Sequence, residues 1–407
     1  MIWRAWQSEA IPLAGLLIAA TGLVTNQRIL MAVGLFWWGL VFVAGRMAQH
    51  TLQRLEAQLS LPVIVAEPGQ TVAGELCLKN PMPWPLMHVE WKLVLPASIE
   101  AQGPGQVLRP TGAGHQTLTG HSWVGPKEEI RIRYRLAGSQ RGRWPIGPGA
   151  FTLQDPLSQA ELIREDQATH YLTIWPHRYA PPFDLLDRAA RDAQRRTPRW
   201  AFPDPLSIKS VRAYQPGDPR GHLAVYATAR VQQLMVKETE PLTNRRIHVL
   251  LHPKTAAGPW YAINGDLFED AICAAASLVE TALAQGFVTD LWATGAIPGQ
   301  MRGFHLTARH ASDVGTLLTA LAWLQPSGTM DDDVTRLVTS LLAERGAAAP
   351  LLIVSPLWPE ILTASLVSQR RPGVHAVYIA IGDTAPSPLP AGLVSCWRFH
   401  RGRWSHA

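Results

Sequence analysis

Two apolar runs near the N-terminus constrain this chain more than any other feature. Residues Ala10 to Val24 and Ile29 to Gly45 are almost wholly apolar, and Thr25-Asn-Gln-Arg28 separates them. Each run is near the lower end of the about 17–25 residues that a helix needs to cross a bilayer's hydrocarbon layer of about 30 Å. The pattern predicts a two-helix transmembrane hairpin over residues 1–50.

The flanking charges bear on the origin and the orientation of this hairpin. A cleaved signal peptide is the alternative interpretation, but Glu9 falls where such a leader is positively charged, and a second apolar run follows at once. Arg4 precedes the pair and Arg46 and Arg54 follow it, against a single Arg28 in the connection. The positive-inside rule therefore favours both ends, and the soluble domains, on the cytoplasmic side.

Composition excludes several other classes of protein. The 407 residues suffice for two or three domains. The net charge is +6, and the basic residues are spread out, so we do not expect nucleic-acid binding. Cys77, Cys273 and Cys396 are far apart and lack the spacing of a zinc site or a disulfide framework. We expect buried thiols in a reducing compartment.

Residues 51–178 carry short β-type runs separated by turn residues. The predicted strands are Leu61–Ala66, Thr71–Lys79, Met87–Leu95, Thr117–Val124, Glu129–Leu136, Ala150–Leu153 and Tyr171–Trp175. Their spacing favours an all-β, immunoglobulin-like antiparallel sandwich. We expect Gln102–Gly114 to be a surface loop, and Arg141–Gly149 to be a β-hairpin whose Trp144 packs on the sandwich.

Residues 245–407 alternate between strand and helix patterns. Arg246–His252 is a continuous apolar run, as a buried parallel strand has, and the spacing of Asp266 and Glu269 predicts a capping box at the start of the first helix. The remaining predicted strands are Phe287–Trp292, Leu351–Val354, His375–Ile381 and Leu393–Phe399, and the remaining helices are Ala311–Leu324, Asp331–Arg345 and Pro359–Arg370. This alternation predicts an α/β domain.

The linker region 179–244 contains a distinctive motif, Ser207–Glu238, with a Pro-Gly-Asp-Pro turn and spaced arginines. Gly217 suits the positive φ of a tight turn, and Asp218 can cap a helix that begins at Pro219 and runs to Arg230. Two interpretations remain open. In the first, the arginines pair with Asp218, Glu238 or Glu240 and form a buried ionic latch to the α/β sheet.

The second interpretation is an exposed protein-docking surface made of arginine, tyrosine and histidine. Arg and Tyr are enriched where the binding energy of interfaces concentrates. The candidate protein-binding residues are Arg212, Tyr214, Gly217, Asp218, Arg220, His222 and Arg230.

In its residue types and their order, this motif resembles the signature of a bacterial family known as domain of unknown function 58. Members carry Arg-x-Tyr-x-Pro-Gly-Asp, here Arg212 to Asp218, then a helix ending in Ala-Arg, then a strand reading Leu-Met-Val-Lys-Glu. The stretch Arg141–Gly149 with Asp155-Pro-Leu157 resembles a second hallmark. The resemblance is to a divergent member, since Gly221, Val225 and Tyr226 stand where the family pattern has Arg, Trp and Lys.

The resemblance implies that residues 245–407 form a von Willebrand factor A-like domain. Metal-binding members of that fold hold Mg²⁺ with Asp-x-Ser-x-Ser and Thr-Asp at the carboxyl edge of the sheet. The corresponding positions here are His252, Lys254 and Ala256, then Ser355-Pro356. Because neither carboxylate is present, we expect no metal at this edge and no cofactor.

The resemblance also implies a partner, because family members look like companions of MoxR-type AAA+ ATPases. We therefore expect a membrane-anchored adaptor or scaffold of the bacterial inner (cytoplasmic) membrane that takes part in chaperone-like assembly. The sequence has no Gly-x-Ser-x-Gly, phosphate-loop or His-Glu-x-x-His motif, so we do not expect an enzyme. The alternatives are a cell-envelope receptor or structural protein with an outward-facing sandwich, and an enzyme whose cleft contains His252, Lys254 and the motif arginines.

Overall fold

In the computed structural model the chain divides into two compact units, Met1–Pro176 and His177–Ala407. The structure describes residues 3–4, 10–108, 114–147, 149–154, 161–166, 170–196, 203–218, 220–241, 245–255, 264–298, 302–326, 330–344, 349–358, 376–383 and 394–406.

The first unit contains two apolar helices near its start, α1 (Ala10–Val24) and α2 (Arg28–Arg54). They pack closely at Gly34, where a Cβ would lie 2.3 Å from the backbone nitrogen of Ala19. Only glycine, which has no Cβ, allows this approach. Both predicted helices are confirmed as helices. The segment Arg28–Met47 is long and apolar enough to cross a membrane, and α1 contains a shorter apolar segment.

The rest of the first unit is β-structure. After the short strand β1 (Trp3–Arg4), the strands are β2 (Glu56–Ser60), β3 (Val65–Ala66), β4 (Thr71–Lys79), β5 (Leu86–Pro96), β6 (Ile99–Gln102), β7 (Gln106–Leu108), β8 (His115–Val124), β9 (Glu129–Gly138), β10 (Gly142–Ile146), β11 (Gly149–Gln154), β12 (Glu161–Asp166) and β13 (His170–Ile174). The sheet orders are β1-β12-β11-β5-β8-β7, β2-β4-β9-β6 and β10-β13-β3. Trp91, Phe151 and Tyr134 from the two larger sheets share one apolar core.

Three expectations for this region are corrected. Leu61–Ala66 holds only the two-residue β3, and Gln102–Gly114 contains β7, with residues 109–113 outside the described part. Arg141–Gly149 is not a hairpin, because β10 pairs with β13 whereas β11 pairs with β5 and β12. Gly147, with φ of 104°, lies at the change of sheet. Trp144 packs against the core as predicted.

The second unit begins with α3 (Leu185–Arg196), the paired strands β14 (Pro203–Ala213) and β15 (Met235–Pro241), and α4 (Val225–Val231) between these strands. The α/β region follows. Its elements are β16 (Arg246–Leu251), α5 (Gly265–Ala284), β17 (Val288–Ala296), β18 (Arg302–Ala308), α6 (Val314–Trp323), α7 (Met330–Glu344), β19 (Leu351–Ser355), β20 (Ala376–Ile381), β21 (Val394–His400) and β22 (Arg403–His406).

One seven-stranded sheet organises the α/β region, in the order β18-β17-β16-β19-β20-β21-β22. The five central strands are parallel, namely β17, β16, β19, β20 and β21 in sheet order. The edge strands β18 and β22 are antiparallel to their neighbours. From β16 the chain adds β17 and β18 on one side of the sheet and then β19 to β22 on the other side. The direction in which strands are added therefore reverses between β16 and β19. In open α/β sheets this reversal point, at the carboxyl ends of the strands, is the usual place for a ligand.

Most predicted elements of the α/β region are present, with two corrections here and one on the cysteines that concerns both units. The edge strands β18 and β22 were not predicted. The cap of α5 is Asn264 rather than Asp266, because the Asn264 side chain accepts hydrogen bonds from the backbone of Asp266 and Leu267. The cysteines are free thiols but half-buried rather than fully buried. The predicted helix Pro359–Arg370 lies outside the described residues.

Candidate functional site

The motif forms a two-stranded hairpin with a folded insertion at its tip. Strands β14 and β15 pair so that Arg212 is opposite Val236 and Ala213 is opposite Met235. The Tyr214 amide donates to the Leu234 carbonyl at 2.9 Å and extends the pairing by one residue. The strands therefore hold the candidate residues on one compact insertion of about twenty residues.

Arg212 and Asp218 close the turn at the base of this insertion. Two parallel hydrogen bonds of 2.8 Å run from the guanidinium to the two carboxylate oxygens, and the Gln215 amide donates to the same carboxylate at 2.9 Å. The Arg212 bond, followed by the Gln215 bond, lowers the pKa of Asp218. Gly217 takes φ of 109°, as the predicted turn requires.

Two predictions about this turn are wrong. Asp218 does not cap a following helix, since its carboxylate accepts from the residues before it. The predicted pairing of an arginine with Asp218 is confirmed for Arg212, but this pair is no buried latch to the sheet. It joins two residues of the motif, and their side chains are 40% and 15% exposed.

The predicted helix from Pro219 to Arg230 is interrupted. A single 3-10 turn covers Arg220–His222, and α4 begins only at Val225. Between them the Ala224 amide donates to the Met235 carbonyl at 2.8 Å, which ties the chain to β15 and prevents one continuous helix. The Met235 amide in turn donates to the Thr228 hydroxyl at 3.0 Å, which fixes α4 on the hairpin.

The outer surface of the insertion is apolar and basic. Tyr226 is 95% exposed, Val225 is 72% exposed and Leu234 is 52% exposed. Arg220 and Arg230 are exposed, and neither forms an ion pair within the described part of the chain. Tyr226 and Arg230 are four residues apart on α4, and so lie on one face of the helix. We call Val225, Tyr226, Arg230 and Leu234 the tip surface.

The structure separates the predicted site residues into two groups. Arg212, Gly217 and Asp218 build the turn, and Tyr214 and His222 are half-buried. Arg220 and Arg230 remain on the outer surface. Sequence reasoning missed the contribution of Val225 and Tyr226, which it treated only as losses from a family pattern. Two large exposed side chains in the middle of a motif were the available signal.

The carboxyl edge of the large sheet was the second predicted location. His252 is buried, and its Nδ1 lies 2.9 Å from the Thr294 hydroxyl, while the Ser355 hydroxyl donates to the Leu357 carbonyl at 2.5 Å. These side chains are thus engaged within the fold. Within the described ranges no cluster of His, Cys, Asp or Glu could hold a metal ion, and Ala256 lies outside those ranges. The absence of a metal at this edge stays a prediction.

A buried polar cluster near the amino ends of β16 and β17 was not predicted. Asp290 is fully buried and accepts hydrogen bonds from Arg246 at 2.5 and 3.0 Å and from Thr307 at 2.6 Å. His248 and His305 lie 3.2 and 3.4 Å from the same carboxylate. Burial raises the pKa of Asp290, but the bonds from Arg246 and Thr307 and the charge of His248 outweigh it, so the pKa is lowered.

This cluster joins three neighbouring strands, since Arg246, Asp290 and Thr307 belong to β16, β17 and β18. His305 stacks on Trp292 with 3.7 Å between ring centroids. The arrangement satisfies a buried carboxylate at the sheet's amino end, away from the edge where ligands usually bind. We therefore assign it to the stability of the sheet.

Comparisons with known proteins give limited help. No family model matches the sequence. The protein is 25% identical over 254 residues to uncharacterized protein YeaD of Bacillus subtilis (strain 168), a match covering 62% of this chain and 59% of that protein. The chain thus matches less than two thirds of the relative's length.

Solved structures resemble this chain only in part. The CARDB domain of the PF1109 protein from Pyrococcus furiosus is 18% identical, with 30% of this chain and 86% of that chain covered and a TM-score of 0.20. A cohesin module from Clostridium perfringens is 7% identical, with 30% and 97% covered and a TM-score of 0.21. Scores at this level carry no argument about fold or function.

Proposed function

We propose that this protein is a membrane-anchored adaptor that acts by protein–protein contact, and that its partner is a MoxR-type AAA+ ATPase on the cytoplasmic side. The observation that carries the proposal is the tip surface, where Tyr226 is almost fully exposed one helical turn from the exposed Arg230. Tyrosine and arginine are both enriched among the hot-spot residues of protein interfaces.

The anchor is the helix pair α1 and α2. The Arg28–Met47 segment supplies the length and apolarity of one span, and α1 packs on it through Gly34 and Gly22. Lipid-embedded helices associate through such small residues, because a hydrophobic driving force between helices is missing in lipid. We propose that the pair forms a transmembrane hairpin and that the protein is multi-pass in the bacterial inner membrane.

The architecture supports the proposed family. The order β18-β17-β16-β19-β20-β21, with parallel central strands and an antiparallel β18, supports our proposal of a von Willebrand factor A-like domain. The shared core of the two larger sheets in the first unit suits an immunoglobulin-like sandwich. We propose that the chain is a divergent member of the domain of unknown function 58 family, from which the ATPase partner and a role in chaperone-like assembly follow.

The test is co-purification from solubilised membranes, with and without nucleotide, using variants of the tip surface. Tyr226→Ala and Arg230→Glu should each reduce recovery of the ATPase at least tenfold, since truncating a hot-spot side chain costs about 2 kcal/mol or more. Phe183→Ala and Arg403→Glu are matched controls, because both residues are exposed, belong to the second unit and lie outside the motif.

Two results would contradict the proposal. Recovery of the ATPase that is equal for the tip variants and the controls would remove the tip surface from the interface. Labelling of a cysteine introduced in the loop at residues 102–106 from outside intact cells would place the first unit on the wrong side, and would favour an envelope receptor instead.

A further inference from the structure

A cleft lies where α2 leaves its apolar segment. It has a volume of about 480 Å³, within the range of small-molecule sites. Phe42, Val43 and Met47 line it toward the apolar segment, and Arg46 and His50 line it toward the helix end. These residues recur at intervals of three and four, so they share one face of α2.

The opposite wall of the cleft is Trp84, on a rigid loop of the first unit. Its indole nitrogen donates to the Thr51 hydroxyl on α2 at 3.0 Å. The buried Asn80 holds this loop in place. Its side-chain amide donates to the Trp84 carbonyl at 2.8 Å and to the Gly125 carbonyl at 2.9 Å. The wall is therefore held in place by the fold before any ligand arrives.

The basic residues among the described lining of the cleft are Arg46 and His50. Helix α2 has no acidic residue along its whole length, and Arg46 and His50 form no ion pair within the described part of the chain. The first carboxylate after the helix, Glu56, is engaged by Lys79 at 2.7 Å. Along the part of the cleft that the structure describes, an anion would thus meet Arg46 and His50 and no carboxylate.

We infer that this cleft binds one phospholipid with an anionic headgroup. The phosphate contacts Arg46 and His50, and the upper acyl chains lie along Phe42, Val43 and Met47 against the Trp84 ring. Among the described residues that line the cleft there is no carboxylate to receive the ammonium group of a zwitterionic lipid, so we assign a headgroup with net negative charge. Tryptophan at this depth is typical of the bilayer interface.

The inference rests on the proposal that α2 crosses the membrane. Its apolar segment of 20 residues spans about 30 Å at 1.5 Å per residue, so the end of the segment lies at the headgroup level. Arg46, one residue before that end, reaches the phosphates by extending its side chain toward the interface.

The experiment is native mass spectrometry of the full-length protein in detergent, titrated with phosphatidylglycerol or phosphatidylcholine. Wild type should bind one phosphatidylglycerol with a clear preference over phosphatidylcholine. Removing one basic group near a phosphate is expected to weaken binding about fivefold. Arg46→Gln with His50→Gln should therefore abolish the preference, whereas Arg28→Gln, which removes a basic group at the other end of α2, should keep it.

Trp84→Phe tests the wall separately from the charge. It keeps an aromatic ring but loses the bond to Thr51, so affinity for both lipids should fall while the preference for phosphatidylglycerol remains. A thermal melt of each variant confirms that it is folded. Competition by millimolar glycerol phosphate would identify a free phosphate compound as the ligand, and dimers in the spectrum would identify a second copy; either result overturns the lipid assignment.

Two further results distinguish the lipid site from the anchor. If carbonate washing removes the protein from membranes, the proposed membrane anchor is wrong and the site falls with it. If the protein stays in the membrane but Arg46→Gln with His50→Gln retains the phosphatidylglycerol preference, the anchor stands and only the lipid site is wrong.

Discussion

The buried carboxylate of Asp290 should be highly sensitive to loss of its charge. The change Asp290→Asn keeps the shape of the side chain but removes the charge that Arg246 contacts twice. Breaking a buried ion pair by removing one partner costs about 3–5 kcal/mol. Because Arg246 is 34% exposed and regains some water, we expect the lower figure of about 3 kcal/mol.

This loss translates into a large thermal shift. For a domain of about 150–250 residues, 1 kcal/mol shifts Tm by roughly 2–4 °C, so about 3 kcal/mol predicts a decrease of roughly 6–12 °C. The assay is thiol labelling during a thermal ramp, read by peptide mass spectrometry. Cys273 and Cys396 report the second unit, whereas Cys77 reports the first and should be unaffected.

The pH dependence of this effect has a defined sign. The folded pKa of Asp290 lies below its unfolded value, so its stabilising contribution is fully present above about pH 4 and is lost as pH falls through the folded pKa. The difference between wild type and Asp290→Asn should therefore shrink below about pH 4. Asp383→Asn is the control, because that side chain is 82% exposed. Equal shifts for the two variants would refute the reasoning.

Three other predictions follow from the described contacts. Gly34→Leu should destabilise the α1–α2 pair by about 1–3 kcal/mol in a detergent melt, whereas Gly39→Leu should be neutral, since a Cβ there has open space; equal melts would exclude close helix packing. Arg212→Ala should raise the pKa of Asp218 toward its ordinary value in a carboxyl NMR titration, and Arg230→Ala should leave it unchanged. EDTA should leave the melt of the second unit unchanged; stabilisation of that unit by Mg²⁺ would show that a metal site exists.

Elements with a strong local pattern were predictable from the sequence. The stripe Phe268, Ile272, Ala275, Val279 and Leu283 of α5 is buried throughout, as an apolar spacing of three and four residues predicts for the face that a helix turns to the core. The missed strands β18 and β22 are short edge strands with polar faces. Their alternation is weak because an edge strand buries little.

Features that depend on distant pairing were not predictable. Asp290 meets Arg246 and Thr307 only because three strands pair in one register, and no local pattern encodes that register. Trp84 likewise meets Thr51 across 33 residues. Within the motif, the positive φ of Gly217 was predictable because it depends on the local turn. The hydrogen-bond partners of the Asp218 carboxylate were not, since donors both before and after it in the chain were possible.

The most direct test is site-specific photo-crosslinking in intact cells, with p-benzoylphenylalanine in place of Tyr226. The proposed function predicts an adduct with a MoxR-type AAA+ ATPase, lost when Arg230→Glu is added and not obtained with the photoreactive group at Phe183. An adduct with an extracytoplasmic protein, or equal adducts from positions 226 and 183, would contradict an adaptor that docks through the tip surface.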